Sequence, residues 1–223
     1  MQNSSENPGL GQGINDFIQK NRKPIVIGAV ALAALLVICI AALSLRDVLQ
    51  RKAISEVEEL NSRYEAIRHS ITEEYMEIEA AELLADLETF AKKNSGFAGG
   101  KAWSIIGSIH SEKKDWAEAE AAWAQAAEKS EKSYLAPIAW FNAGIAAEEQ
   151  GWLEEAIDYF SKSISAPAGF SSAPRAQFTI GRLNETLDNR EAAIAAYRAV
   201  ISGWPYDMVW TNLAHSRIIA LEL

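Results

Sequence analysis

Gly107, Gly144 and Gly181 lie 37 residues apart, and the same interval recurs at Ala119, Ala156 and Ala193 and at the aromatic positions Trp123, Phe160 and Tyr197. Glycine makes up about 7% of ordinary chains, so two further glycines in register would coincide roughly once in two hundred trials, and the alanines and aromatics lower that further. The repeat is therefore structural. A unit this short cannot bury an apolar face alone, so its copies must stack into an array, an architecture whose usual work is holding other polypeptides.

Read as units over about 100–136, 137–173 and 174–210, each copy holds two amphipathic segments of helical period. Polar turns at Lys113-Lys114-Asp115, Gln150-Gly151 and Asp188-Asn189 split them. In the middle unit Trp140, Ala143, Gly144 and Ala147 share one helical face, and Ala156, Phe160 and Ser163 share another. Glycine and alanine at the seam let helix axes approach closely, and the aromatic beyond each alanine is expected to fill the space between neighbouring pairs. Pro137 and Pro174 open two units, where a missing N–H costs little; Pro167 and Pro205 follow helix ends. The fold class is all-α, a solenoid of helical hairpins.

The spacing Trp103-x2-Ile106-Gly107, Trp140-x2-Ala143-Gly144, then Ala119-x3-Trp123, Ala156-x3-Phe160 and Ala193-x3-Tyr197 resembles the tetratricopeptide repeat. The third unit departs from it, with Gln177 in place of tryptophan, and the period of 37 exceeds that family's about 34. The resemblance implies a fold and polypeptide partners, not which partner.

Pro24–Leu45 is a run of 22 uncharged residues, mostly Ile, Val, Leu and Ala. At about 1.5 Å per residue it reaches roughly 33 Å, enough for one membrane helix. It exceeds the apolar region of a cleaved signal peptide and lacks a good small-x-small cleavage site before Arg46. Cys39 follows the bulky Ile38, unlike a lipoprotein site, and reads as apolar filler. Lys20, Arg22 and Lys23 precede the span and Arg46, Arg51 and Lys52 follow it, a near tie that the tight N-terminal cluster tips toward a cytoplasmic tail.

Removing residues 1–46 takes four of the 21 basic and two of the 30 acidic residues, leaving 17 against 28 and a net charge of −11. Such a surface repels nucleic acid and anionic headgroups and favours basic or apolar polypeptides. The absence of cysteine beyond Cys39 decides no compartment.

The chain divides into a tail over 1–23, disordered to residue 15 with a short interfacial helix over 16–23, a span over 24–45, a helical stalk and capping region over 46–98, and a repeat domain over 99–223. The repeat domain ends in a terminal helix over 207–223. In the stalk Leu49, Ala53, Val57, Leu60, Tyr64, Ile67 and Ile71 form one apolar stripe. The stripe either packs on the following helix and caps the solenoid or makes a homodimeric coiled coil. Ser70 and Glu73 have capping-box spacing, predicting a break near Ser70 and a helix from Thr72 to about Lys93, with Leu83, Leu84, Leu87 and Phe90 inward and the run 94–100 ending it.

No catalytic or metal site is expected. His69, His110 and His215 are scattered without metal spacing, and Gly99-Gly100-Lys101 lacks the first glycine and the Ser/Thr of a phosphate loop. No cofactor is implied. By the tetratricopeptide resemblance the concave side carries Ser104, Phe141 and Phe178, then Ser108, Ile145 and Arg182, apolar in its second half. Phe141, Ile145 and Phe178, rimmed by Glu148, Glu149, Arg175, Arg182 and Glu185, are the candidate partner-binding groove; the alternative is that they pack against the last helix.

The layout of tail, span, stalk and repeats, with Asp86-Leu87-Glu88-Thr89-Phe90-Ala91-Lys92-Lys93-Asn94 as the nearest local likeness, resembles the membrane-anchored periplasmic tetratricopeptide proteins that are ancillary subunits of the bacterial Sec translocon. That likeness implies a single-pass protein of the inner membrane with a periplasmic C-terminal domain. Translocon subunits, exported clients and periplasmic chaperones would be its partners, and it would act like a chaperone. Two other readings stand beside it: a structural organiser of an envelope complex through stalk dimerisation, and a small apolar ligand-binding component of an uptake system.

Overall fold

The computed structural model describes residue 15, residues 17–69 and residues 73–223, with side chains in the last stretch from residue 78. Residues 17–20 are helical. Residues 1–14 and Asp16 of the tail, and the capping position at Ser70, with Ile71 and Thr72, lie outside the described residues. The chain divides into two compact units, Met1–Arg51 and Lys52–Leu223. The helices are α1 (Arg22–Arg68), α2 (Glu73–Lys93), α3 (Gly96–Lys113), α4 (Trp116–Lys129), α5 (Leu135–Glu149), α6 (Leu153–Ser165), α7 (Ala173–Thr186), α8 (Arg190–Gly203) and α9 (Met208–Glu222). Among the described residues there is no strand, so the all-α reading holds.

In the first unit α1 exposes large apolar side chains on every side from Ile25 to Leu49. A helix apolar all round is built for a lipid or protein interior rather than water. α1 is long and apolar enough to cross a membrane.

In the second unit the end of α1 contributes Val57, Leu60 and Tyr64 to a core with Leu83, Leu87 and Phe90 of α2 and Ile105, Ile106 and Ile109 of α3. This corrects the coiled-coil reading of the stripe: Val57 is fully buried and Leu60 and Tyr64 nearly so within one chain, leaving none of the three for a dimer seam. The interruption expected over 94–100 is confined to Asn94 and Ser95, and α3 starts at Gly96.

The three hairpins α3–α4, α5–α6 and α7–α8 turn at the expected polar residues and share a backbone geometry that those residue identities do not reveal. Lys114, Gly151 and Asp188, again 37 apart, take positive φ of 61°, 81° and 58°. The next residue in each turns its N–H back to a carbonyl five residues earlier: Asp115 to His110 at 2.9 Å, Trp152 to Ala147 at 3.0 Å, Asn189 to Asn184 at 2.8 Å. One left-handed residue and one long backward hydrogen bond stop each first helix and launch the second.

Across each hairpin the aromatic ring lies on its own glycine. A Cβ built at Gly107 would sit 2.8 Å from Trp123, at Gly144 2.9 Å from Phe160 and at Gly181 2.6 Å from Tyr197. The same rings also border the next helix: Trp123 with Ala139, Ala143 and Ala146, Phe160 with Ala176, Ile180 and Leu183, Tyr197 with Ala214. Each aromatic therefore locks a hairpin and joins it to its successor. Ala119, Ala156 and Ala193 are fully buried beside them. Trp140 is half-buried, stacked on Tyr159 at 5.6 Å with Lys162 Nζ 4.9 Å over its ring. Trp103 packs against the first core and the α4–α5 core, its indole N–H without a partner among the described residues.

Candidate partner-binding groove

In the second half of the expected concave face Phe141 is covered and Phe178 partly so. Phe141 is 7% exposed, edge-on to Phe160 at 5.2 Å and against Phe170 at 5.5 Å, and the Arg175 guanidinium covers its ring at 5.1 Å. Phe178 lies against Tyr197 at 5.1 Å and Trp210 of α9 at 5.4 Å. These two aromatics are therefore packing residues and not an open groove floor, because the following loop and the terminal helix each bring a ring to cover them. Ile145 is half-buried and Glu149 exposed.

The remaining charges of the expected rim tie neighbouring first helices together. Arg182 donates to both carboxylate oxygens of Glu148 at 2.7 Å, joining α5 to α7. Arg217 of α9 donates through Nε to Glu185 at 3.0 Å, and its terminal nitrogen and the Tyr197 hydroxyl also donate to that carboxylate. The Arg217 hydrogen bond holds Glu185 below the usual carboxylate range, against an opposing push from burial. Burial, then the Glu185 contact, pushes the Tyr197 phenol up.

Open space lies instead in the first half, a groove of about 520 Å³. One wall is the end of α1, with Asn61, Tyr64, Glu65 and Arg68; the other is α5, with Leu135, Asn142 and Ile145. Its floor is α3, with Lys101, Ser104, Ile105, Ser108, Ser111 and Glu112, and Phe97, Trp116, Trp123 and Tyr134 complete the lining. The cause is side-chain size. Ser104 and Ser108 hold the places that Phe141 and Ile145, then Phe178 and Arg182, take in the next units, so volume filled there is empty here.

The serine hydroxyls donate to the backbone of their own helix, Ser104 to Gly100 at 3.0 Å, Ser108 to Ser104 at 3.0 Å and Ser111 to Gly107 at 2.7 Å. Satisfied in this way, they present mainly carbon to the groove. Ser111 also accepts the Trp123 indole N–H at 3.1 Å. Charges collect at the mouth in balanced pairs: Arg68 Nε with Glu112 at 2.8 Å, Lys101 Nζ with Glu58 at 2.6 Å. Tyr64 donates to Glu112 at 2.8 Å, and burial, reinforced by that carboxylate, pushes its phenol up. Asn61 and Asn142 bring amides able to pair with a peptide backbone.

Sequence reasoning placed Ser104, Ser108 and Ile145 on this face but sought contact where residues were largest; the signal for space was their smallness. Arg68, Tyr64 and Glu112 were missed, because only the fold of α1 onto α3 brings them there. Among the described residues no group of His, Cys, Asp and Glu has the arrangement to hold a metal ion. Gly99-Gly100-Lys101 is helical, in the first turns of α3, with Lys101 paired to Glu58.

Residues 106–170 and 174–202 each match a family model described as tetratricopeptide repeat. The chain is also similar to a TPR repeat-containing protein of Treponema pallidum (strain Nichols), 29% identical over 225 residues, covering 94% of this chain and 93% of that protein.

Proposed function

We propose that this chain, a tetratricopeptide-repeat protein and hence a protein-interaction module, holds a segment of a polypeptide partner in the groove between the end of α1, α3 and α5, while the apolar part of α1 anchors it in a membrane. The observation that carries the reading is the 520 Å³ groove at the one part of the concave face where serines replace bulky residues. Its floor and sides offer Ile105, Ile145 and two tryptophans to an apolar side chain, and its amides and paired charges suit the backbone and a polar flank. The groove is open to solvent, which favours a chain segment over a small enclosed ligand. No covalent step is involved; docking is reversible.

The basic cluster at Lys20, Arg22 and Lys23 supports a cytoplasmic tail and a periplasmic repeat domain, with assistance to protein export or envelope assembly at the bacterial inner membrane as the role. Confinement to a thin layer raises the effective concentration toward other membrane complexes, so a weak groove suffices.

The test is capture from intact membranes with Ser108→Trp, which fills the groove from a half-buried position. Loss of wild-type partners with an unchanged thermal melt is the expected result. Retention of the same partners by a folded Ser108→Trp protein would refute the groove. Orientation is read separately, by labelling a Tyr206→Cys, Cys39→Ser protein in spheroplasts with an impermeant maleimide; protection from the outside would reverse the topology.

A further inference from the structure

The last helix, α9, packs on the hairpin before it as the first helix of a hairpin does. Its Ala214, Ile218 and Leu221 pack toward Tyr197 and Val200 of α8 as Ala176, Ile180 and Leu183 pack toward Phe160 of α6. In that register Ile219 stands where Gly107, Gly144 and Gly181 receive the aromatic of their own second helix. Ile219 is instead 61% exposed, with Leu213 at 44% and Val209 at 66% beside it. The face of α9 formed by Val209, Asn212, Leu213, Ser216, Ile219 and Ala220 carries no ionisable group. The neighbouring Arg217 and Glu222 are drawn aside to Glu185 and Arg198, while the exposed His215, one turn before Ile219, borders the face.

We infer that this face is the seat of a second copy of the same chain, α9 packing on α9 across a twofold axis. Three observations select that occupant. The isoleucine at the glycine position shuts out the aromatic that second helices of this array bring to the seam, so a further hairpin of the same kind does not fit. The chain carries a net charge of −9, and a patch without carboxylates is where two acidic copies meet with least repulsion. The face is also self-complementary: in an antiparallel pair crossing at Ser216, Leu213 of one copy falls opposite Ala220 of the other, large against small on both sides of the axis. A single helix pair lies at the small end of interface sizes, below about 1,200 Å², so the association is reversible and in the micromolar range. It is independent of the groove, none of whose lining residues belongs to α9.

The full chain in detergent, with Cys39→Ser, is examined by sedimentation equilibrium and by disulfide trapping. The protein is expected to self-associate, and Leu213→Glu with Ile219→Glu to weaken that association at least about tenfold, by burying carboxylates against an apolar face. Both sites are exposed, so the thermal melt should not move. Ser216→Cys is expected to form a disulfide dimer under mild oxidation faster than the exposed control Ser202→Cys. A monomer at every concentration, a dimer insensitive to the double substitution, or equal trapping at both cysteines would each overturn the inference. Should the double substitution lower the melt, the trapping rates alone decide.

Discussion

Gly181→Ala tests the packing argument at its tightest point. The added Cβ would lie 2.6 Å from the Tyr197 ring. That ring has no exposed surface, is flanked by Phe178 at 5.1 Å, and its hydroxyl is tied to Glu185. It cannot swing away without breaking those contacts, so helix α7 must shift from α8. Overpacking of this kind costs about 1–3 kcal/mol, while the intrinsic preference of a helix for alanine over glycine returns at most about 1 kcal/mol. The net expectation is a loss of up to about 2 kcal/mol, or a melt up to about 8 °C lower for a unit of this size. Gly203→Ala is the control, since nothing lies within 4 Å of a Cβ there and its helix position tolerates alanine. It should be neutral to slightly stabilising. Tryptophan fluorescence is the assay, because all seven tryptophans fall between Trp103 and Trp210 and report only on the second unit. A Gly181→Ala protein as stable as Gly203→Ala would refute the reasoning that the glycine–aromatic contact sets the hairpin spacing.

Lys114→Gly should stabilise by about 1 kcal/mol, since a left-handed lysine carries a steric cost that glycine lacks, and a melt no higher than wild type would count against the shared turn geometry. Glu120 is buried between Gln150 and Tyr159, and burial raises its carboxyl above the usual range. A raised folded value means its contribution is full below the unfolded value near about 4.3 and lost as pH rises through the folded one. Wild type should therefore lose stability relative to Glu120→Gln between acid and neutral pH, checked by urea melts across that range; a constant difference would contradict it. Glu185 is lowered, so its contribution is present above about 4.3 and lost on acidification through the folded value. Arg217→Ala should cost about 1 kcal/mol at neutral pH, the figure being reduced because the arginine is half-exposed, and should shrink that acid-dependent loss.

Periodicity made the helical hairpins and the apolar helix legible in the chain alone. A 37-residue recurrence of glycine, alanine and aromatic has few physical solutions, and 22 uncharged residues have fewer. The turn sites at Lys114, Gly151 and Asp188 were legible too, but their shared left-handed geometry was hidden, because backbone geometry imposed by flanking helices can be met by three unlike residues. The groove was hidden for a different reason. Whether Phe141 and Phe178 face solvent depends on Phe170 and Trp210 arriving over them, and whether Ser104 and Ser108 border a space depends on where the end of α1 packs. Local spacing sets which side of a helix is apolar; only long-range packing decides which part of that side stays uncovered.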